Sequence, residues 1–306
     1  MKTLPVTVII LTLNEEFNLP GAIESVKDWA EEIFVVDSCS TDRTVDVALE
    51  HGVGVVQRPF TNYSDQWNWA LDHLPIKTPW AMKLDADERV GDELINEIQA
   101  VIADDPKEAA FVIPVRIWFM GKPMHPKIYV TRLWRHGKSR FSDVIVNEHL
   151  VVEGGTGRLR HFIEHHDSVD LHHWWEKQNR YTTMEAIMQF RGDALAAKPK
   201  MFGSRLERRM FLKKIFFRVP CHLRIQWLYE MFVRGAIWDG RAGLAWAHLR
   251  VELSKIIALK IKEMRIIGRT PRLPKAPHGD YDPRILASPL QRRVGTQALE
   301  TPDESA

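Results

Sequence analysis

The run Pro5-Val-Thr-Val-Ile-Ile-Leu-Thr-Leu13 consists almost entirely of β-branched and apolar residues. A strand with one solvent face alternates apolar and polar residues, whereas a strand covered on both faces is apolar throughout, so the run predicts a central strand. Asn14-Glu-Glu-Phe-Asn18 then interrupts it, and apolar residues at helical spacing follow from Leu19 to Ala30. The chain therefore opens with a buried strand and a helix.

The same alternation of strand and helix recurs three more times before residue 104. Further strands are predicted at residues 32–37, 53–57 and 80–85, and helices at residues 41–50, 64–74 and 91–103. Repeated alternation of this kind predicts an α/β fold with a mostly parallel sheet flanked by helices on both faces. In such sheets ligands bind outside the carboxyl ends of the strands.

The pattern changes after Ala109. Short turns separate three predicted strands at residues 111–119, 127–135 and 143–151, which indicates antiparallel strands added to the parallel core. Helical periodicity then runs from about Ser168 to Gly268, and the segment after Arg269 is rich in Pro, Gly and charge. We therefore expect three regions: an α/β domain over 1–165, a helical region over 166–270 and a disordered tail over 271–306.

The net charge of +2 conceals a strong asymmetry along the chain. Residues 198–275 contain 19 Lys and Arg against 5 Asp and Glu, a net of +14, so the remaining residues sum to −12. An acidic front and a basic, aromatic back suggest different partners for the two parts. The two cysteines indicate a reducing compartment, and no apolar run has the length of a membrane span, so we expect a cytosolic or peripheral protein.

Two carboxylates end the strand in Trp80-Ala-Met-Lys-Leu-Asp-Ala-Asp-Glu88. Residues two apart in a strand face the same side, so Asp85 and Asp87 can address one ligand. Paired oxygen donors suit Mg²⁺ or Mn²⁺ bound to a diphosphate. The alternative is an acidic start to the following helix, because Asp and Glu favour first turns. Polar residues also follow the strands ending at Leu13 and Asp37, and this convergence favours a ligand site.

Four segments together resemble the inverting nucleotide-sugar glycosyltransferases of family 2, and in particular the branch of bacterial lipopolysaccharide-core β-glucosyltransferases. These segments are Leu11-Thr-Leu-Asn-Glu15, Val36-Asp-Ser-Cys-Ser-Thr-Asp42, Leu84-Asp-Ala-Asp-Glu88 and Val146-Asn-Glu-His149. Each motif is weak alone, but the ordered set is specific. The resemblance implies a GT-A-like nucleotide-binding fold and a divalent cation, Mg²⁺ or Mn²⁺, as cofactor.

The resemblance also implies roles for individual residues. Those expected to bind the nucleotide-sugar are Thr12, Asn14, Glu15, Asp37, Gln66, Asn68 and Asp85. For Asp37 the alternative is a cap on the following loop and helix, and Gln66 and Asn68 are equally consistent with surface polar residues. Asp87 is expected to be the more direct metal ligand. Glu88 is expected to serve mainly the following helix.

Inversion requires a carboxylate on the face of the sugar opposite the leaving diphosphate, to take the proton of the attacking hydroxyl. Glu148 matches the position of the family base, and the alternative is an exposed carboxylate at a sheet edge. Five histidines lie within the thirteen residues from His161 to His173, without zinc spacing. His165 is the one expected to touch the metal or the diphosphate, and the others are expected to be surface or core residues.

The basic segment Arg205–Arg218 interleaves cationic and apolar side chains. It suits an anionic membrane surface, or it packs on the catalytic domain. No nucleic-acid motif accompanies the charge, so no nucleic acid is expected. The processive synthases of the family carry Gln-x-x-Arg-Trp and membrane helices, which this chain lacks. We therefore expect transfer of a hexose, most simply glucose, from a UDP-sugar to a lipid-linked acceptor such as lipopolysaccharide core, at the inner face of the cytoplasmic membrane.

Two alternatives remain at this point. One is transfer of the sugar to polyprenyl phosphate, where the acceptor is itself a phosphate and no base is required. The other is a non-catalytic membrane or nucleic-acid adaptor on a nucleotide-binding fold.

Overall fold

A computed structural model describes most of the chain. The described residues are 3–142, 150–167, 170–191, 201, 202, 208, 211, 215, 219, 221–271, 282–287, 289–291, 293 and 294. The predicted strand over 143–151 is described only at its last two residues, and Glu148 lies outside the described residues. The same holds for Arg205, Arg209, Lys213, Lys214 and Arg218 of the basic segment.

Eleven strands are present in the described residues. They are β1 Leu4–Thr12, β2 Ala30–Asp37, β3 Gly54–Gln57, β4 Trp80–Asp85, β5 Glu88–Val90, β6 Glu108–Phe119, β7 Lys122–Arg135, β8 Ser139–Phe141, β9 Leu150–Val152, β10 Gly155–Arg158 and β11 Ile163–His165. The helices are α1 Leu19–Glu24, α2 Thr44–Glu50, α3 Tyr63–His73, α4 Asp92–Ala103, α5 Leu171–Arg191, α6 His222–Leu228, α7 Gly240–Ile267 and α8 Pro283–Ala287. A π-helical turn, Tyr229–Val233, and a 3₁₀ turn, Ala236–Asp239, lie between α6 and α7.

The main sheet has the strand order β3-β2-β1-β4-β7-β6-β11-β5, and β10 also pairs with β6. The first four strands in this order are parallel, whereas β7 pairs with β4 and β11 pairs with β5 in antiparallel orientation. The predicted class is confirmed: a mostly parallel α/β sheet with added antiparallel strands and a helical C-terminal region. β8 and β9 form a separate antiparallel pair.

Strand β1 is the centre of the core. Val6, Val8 and Ile10 are fully buried on one face of the sheet, and Ile9 is fully buried on the other with Trp67 of α3. Burial of a side chain of this size contributes about 1.5–3 kcal/mol, which is why an apolar residue is needed at both faces. The register also aligns strand ends, since Thr12 lies beside Asp37 and Leu11 lies beside Asp85.

The chain divides into two compact units. The first contains residues 1–115, 128–166 and 274–306, and the second contains residues 116–127 and 167–273. The change at residue 166 lies next to the predicted boundary. The division differs from the expected regions in two ways. The end of the β6–β7 hairpin belongs to the second unit, and the C-terminal segment belongs to the first.

Part of the segment expected to be a disordered tail is described, namely residues 282–287, 289–291, 293 and 294. Ile285 of α8 is fully buried in the core of the first unit, and Arg284 forms an ion pair with Asp46 at 2.5 Å. The backbone N–H of Asp282 donates to the Gln57 side-chain oxygen of β3. A helix of five residues has too few turns to show periodicity, so its stability comes from this tertiary packing.

The second unit contains α5, α6 and α7. Phe119 and Met124 of the hairpin pack with Met231 and Trp246 in one apolar cluster. Ala186 and Ile187 of α5 pack with Met264 of α7 in another. Within the described part of the chain, no helix combines the length and the apolar character needed to cross a membrane.

Replacement of Ile285 by Ala tests the packing of the tail. We expect the free energy of unfolding of the full chain to fall by about 2–5 kcal/mol, because a fully buried side chain is truncated. Ile128→Ala, at a residue 43% exposed, is the matched control and should have a much smaller effect. Denaturant unfolding measures both, and equal small effects would show that α8 does not pack on the first unit.

Candidate functional site

Asp37, at the end of β2, is fully buried and accepts four hydrogen bonds. Its Oδ1 atom accepts the Thr12 hydroxyl at 2.9 Å and the Ser40 hydroxyl. Its Oδ2 atom accepts the Ser40 backbone N–H at 2.8 Å and the Gln57 amide at 2.9 Å. A carboxylate has about four acceptor positions, so all of them are used within the protein. Asp37 therefore fixes the ends of β1, β2 and β3 relative to one another, and a ligand would have to replace one of its donors.

The loop after β1 is tied to the loop after β2. Asn14 has a left-handed backbone with φ of 56°, and its side-chain oxygen accepts the Thr41 backbone N–H at 2.8 Å. The Asn14 backbone N–H donates to the Ser40 hydroxyl, and that of Glu15 donates to the Thr44 hydroxyl, both at 2.8 Å. These bonds place Thr12, Asn14 and Glu15 beside Asp37, at the carboxyl edge of the parallel strands.

Asp85, at the end of β4, is held by an arginine from the added strand β7. The Arg132 guanidinium contacts an Asp85 oxygen at 2.7 Å and a Glu88 oxygen at 2.6 Å. Arg132 and Glu88 are buried, whereas the Asp85 side chain is partly exposed. The second Glu88 oxygen accepts the Asp85 backbone N–H at 3.0 Å. Glu88, expected to serve mainly the following helix, therefore also shapes the turn that carries Asp87.

Charge and burial act differently on the two carboxylates. Burial works to raise the pKa of Asp85, but the charges of Arg132 and Lys83 outweigh it and hold that pKa below its usual value. Burial raises the pKa of Glu88 to about 7, although Arg132 opposes the change. Asp85 is therefore anionic at neutral pH, whereas Glu88 holds a proton more readily than an ordinary carboxyl group does.

Asp87 faces a histidine from β11. Strand β11 pairs with β5 in a register that sets His165 opposite Glu88, and the His166 backbone N–H donates to the Asp87 carbonyl at 2.7 Å. This pairing brings His165 Nε2 to 3.2 Å from a carboxylate oxygen of Asp87. Both side chains are types that ligate divalent cations, and Asp87 is 7% exposed. Their donor set therefore fits the expected metal.

Asp167 is a third residue of ligand type close by in the sequence. It follows His165 by two positions and belongs to the second unit, as the first residue of its segment 167–273, where its carboxylate pairs with Lys177 at 2.6 Å.

The turn between β4 and β5 is fixed by Arg89. Its guanidinium donates to the carbonyls of Ala86 and Glu88, at 2.9 and 2.7 Å, and to the carbonyl of Asn18 at 2.8 Å. Burial lowers the pKa of Arg89. Because three carbonyls from two loops meet one side chain, the Asp87 turn and the start of α1 are held together.

The two predicted residues of α3 differ in their surroundings. Gln66 is fully buried, its oxygen accepts the Arg58 guanidinium at 2.6 Å, and its amide reaches the Ser38 hydroxyl at 3.5 Å, next to Asp37. Asn68 instead uses both ends of its amide on the Phe141 backbone, at 2.9 and 3.0 Å. Gln66 thus lies at the predicted site, whereas Asn68 fixes strand β8.

The structure brings together Thr12, Asn14, Glu15, Asp37 and Gln66 around β2, and Asp85, Asp87 and His165 around β4. Of the other histidines, His161 pairs with Glu97 at 2.9 Å, and His172 and His173 pair with acidic residues of their own helix region. Sequence reasoning missed Arg132. The signal was a charged residue inside an apolar strand, Tyr129-Val-Thr-Arg-Leu-Trp134, since a buried arginine requires carboxylate partners.

Comparison with known proteins gives a family, relatives and a solved structure. The family model described as glycosyl transferase family 2 matches residues 7–167, more than half of the chain. The lipopolysaccharide core biosynthesis glycosyltransferase LpsC of Rhizobium meliloti (strain 1021) is 28% identical over 285 residues, covering 89% of this chain and 97% of that protein.

An uncharacterized glycosyltransferase of Rickettsia bellii (strain RML369-C) is 32% identical over 151 residues, covering 47% of this chain and 51% of that protein. The chain thus aligns with about half the length of this relative. Among solved structures, the mannosyltransferase PcManGT from Pyrobaculum calidifontis, in complex with GDP-Man and Mn²⁺, has a TM-score of 0.51 at 15% identity. The alignment covers 86% of this chain and 88% of that one, and it supports a shared GT-A-type fold.

Replacement of Arg132 by Gln tests the charge network. We expect the free energy of unfolding to fall by about 3–5 kcal/mol, because Glu88 would remain buried without its counter-ion. Arg140→Gln is the control: Arg140 makes two contacts of 2.8 Å with Asp72 but is exposed, so its loss should cost about 0–1 kcal/mol. Denaturant unfolding of both variants checks this, and equal losses would contradict the network.

Proposed function

The chain belongs to glycosyl transferase family 2, as its motifs predicted, and from this premise we propose that it moves a hexose from a UDP-sugar to a lipid-linked acceptor. Glucose is the first donor sugar to test, and lipopolysaccharide core is the first acceptor. The similarity to LpsC over most of both chains supports this choice of acceptor. The observation that carries the proposal is the meeting of Asp85, Asp87 and His165 beside the Asp37 network.

We assign the donor to the carboxyl edge of β1, β2 and β4. The base and ribose would lie against Asp37 and Gln66, with the loop of Asn14 and Glu15 alongside. A ribose hydroxyl or imide N–H can bind Asp37 by displacing the Ser40 hydroxyl, which already competes for one oxygen with Thr12. Asp85, kept anionic by Arg132 and Lys83, would accept donor hydroxyls.

Asp87 and His165 are the proposed ligands of a divalent cation. A bound cation neutralises charge on the leaving diphosphate. Mg²⁺ prefers a shell of oxygen atoms, whereas Mn²⁺ also binds imidazole nitrogen, so the Asp–His pair favours Mn²⁺. PcManGT, which shares the fold, was solved with Mn²⁺.

We propose Glu148 as the base that deprotonates the acceptor hydroxyl in an inverting displacement. The support is the match of Asn147-Glu-His149 to the family motif and the need for a carboxylate opposite the leaving group. Transfer to polyprenyl phosphate needs no base, so it is the competing enzymatic proposal. We place the enzyme in the cytoplasm, on the inner face of the cytoplasmic membrane, because its acceptor is lipid-linked.

Metal dependence tests the Asp87 assignment. In a UDP-release assay with UDP-glucose, Asp87→Asn should lower turnover by on the order of 10²-fold and weaken Mn²⁺ binding measured by calorimetry, because a charged ligand is lost. Asp92→Asn, at the exposed start of α4, is the matched control and should leave both unchanged. Turnover that survives chelation of metals would contradict the metal site. If the wild-type protein turns over no UDP-sugar at all, the non-catalytic adaptor is favoured instead.

Glu148→Gln separates the two acceptor classes. If a sugar hydroxyl accepts the hexose, this variant should lose about 10²–10⁴-fold in kcat with little change in donor affinity, because only proton transfer is impaired. Little change in kcat would instead support a phosphate acceptor. Glu153→Gln, in the exposed turn after β9, is the control. The assay compares lipopolysaccharide core acceptors with polyprenyl phosphate.

A further inference from the structure

A continuous stretch of the second unit exposes large apolar side chains. In the fully described residues 221–244, eight large apolar residues are exposed. They are Ile225, Leu228, Tyr229, Phe232, Val233, Ile237, Trp238 and Leu244. Phe232, Val233 and Trp238 are 58%, 72% and 77% exposed. We call residues 225–238 the apolar surface, because exposed apolar groups of this density mark an interaction site.

The acidic residues of this stretch are turned inward. Glu230 is 3% exposed and lies 3.6 Å from both Arg234 and Arg250. Asp239 is 8% exposed, and its carboxylate accepts the His125 backbone N–H at 3.0 Å and contacts the His125 ring at 2.6 Å. The exposed side chains between residues 221 and 244 therefore include no carboxylate. Arg224 and Arg241 are exposed cations at its two ends.

The secondary structure gathers the apolar side chains on one side. Ile225, Leu228, Tyr229 and Phe232 are three or four residues apart along α6 and the π-helical turn, the spacing of one helix face. Gly235, with a left-handed φ of 82°, then precedes the 3₁₀ turn that carries Trp238, whose backbone N–H donates to the Gly235 carbonyl at 3.1 Å.

A cationic hollow lies at the start of α6. Its volume is about 430 Å³, and His222, Arg224, Trp227 and Lys255 are among the residues that line it. Apolar side chains beside a hollow with fixed positive charge match a bilayer interface, where acyl chains lie beneath anionic headgroups. Trp and Tyr at the edge of such a surface suit the headgroup level.

We propose that the apolar surface inserts into the interface of an anionic phospholipid bilayer, with Arg224 and Arg241 against the headgroups. This inference deepens the proposed membrane location, on which it rests, and it assigns membrane contact to residues 225–238. For the Arg205–Arg218 segment the sequence left membrane contact and packing on the catalytic domain open. A second copy of the chain is the less favourable occupant, because a two-fold dimer would bring the same cationic patches together.

Vesicle sedimentation tests the proposal with the full-length protein. Vesicles of phosphatidylglycerol and phosphatidylethanolamine in equal parts should bind the wild type, and pure phosphatidylcholine should bind it more weakly. The double variant Phe232→Ser, Trp238→Ser should bind anionic vesicles at least about tenfold more weakly, since two large apolar groups no longer leave water. Arg224→Glu, Arg241→Glu should abolish the preference for anionic lipid.

Matched controls keep the result specific. Ile266→Ser removes a side chain 76% exposed on α7, and Lys107→Glu reverses an exposed charge in the first unit; neither should change vesicle binding. All variants should keep the wild-type Tm, because only exposed side chains change. Unchanged vesicle binding by the double variant, or no binding by the wild type, would overturn the proposal. The proposal would also be overturned if the wild type forms a concentration-dependent dimer that the double variant does not form, because the apolar surface would then bind a second copy of the chain.

The outcome is separable from the proposed transfer reaction. The proposed donor site contains neither Phe232 nor Trp238, so the Phe232 and Trp238 variant should retain the release of UDP from UDP-glucose with water as acceptor. Asp87→Asn should lose UDP release and keep vesicle binding. If the wild type releases UDP but does not bind vesicles, only the membrane-surface proposal is contradicted. If it binds vesicles but releases no UDP, only the proposed reaction is contradicted.

Discussion

The guanidinium of Arg132 lies between the carboxylates of Asp85 and Glu88, and the electrostatics of the site depend on this contact. It keeps Asp85 anionic at the end of β4 while Glu88, buried behind it, has a pKa raised to about 7. Without one cation inside the sheet, three acidic residues within four positions would repel one another. The antiparallel strand β7 thus extends the parallel part of the sheet by pairing with β4, and it also supplies the positive charge that Asp85 and Glu88 require.

The second constraint is the register of the parallel strands. Because β1 lies between β2 and β4, Thr12 is aligned with Asp37 and Leu11 with Asp85, and polar residues from three strands reach one edge. Asp37 then fixes that edge through four internal hydrogen bonds. The polar groups of this edge are thus held in place by the protein itself, and a ligand of Asp37 would exchange one internal hydrogen bond for its own.

In the second unit, acidic side chains near the exposed apolar stretch are buried. It lies within the most basic part of the chain, yet Glu230 and Asp239 are buried against cations and histidine, which leaves its exposed stretch apolar and positive. Buried acids of this kind are costly unless paired, and here pairing removes negative charge from the surface. This apolar and positive stretch is the surface for which contact with an anionic bilayer is proposed.

The sequence by itself determined the α/β class, because strand and helix periodicities are local and repeated four times. It also predicted that Asp37 and Asp85 end neighbouring strands, and their alignment with Thr12 and Leu11 of β1 follows from parallel pairing. It could not find the Arg132 bridge, the register of β5 and β11 that sets His165 opposite Glu88, or the burial of Ile285. Each of these joins residues at least 40 positions apart through strand pairing or packing. Such contacts leave no periodic trace in the chain, so only the tertiary structure could decide them.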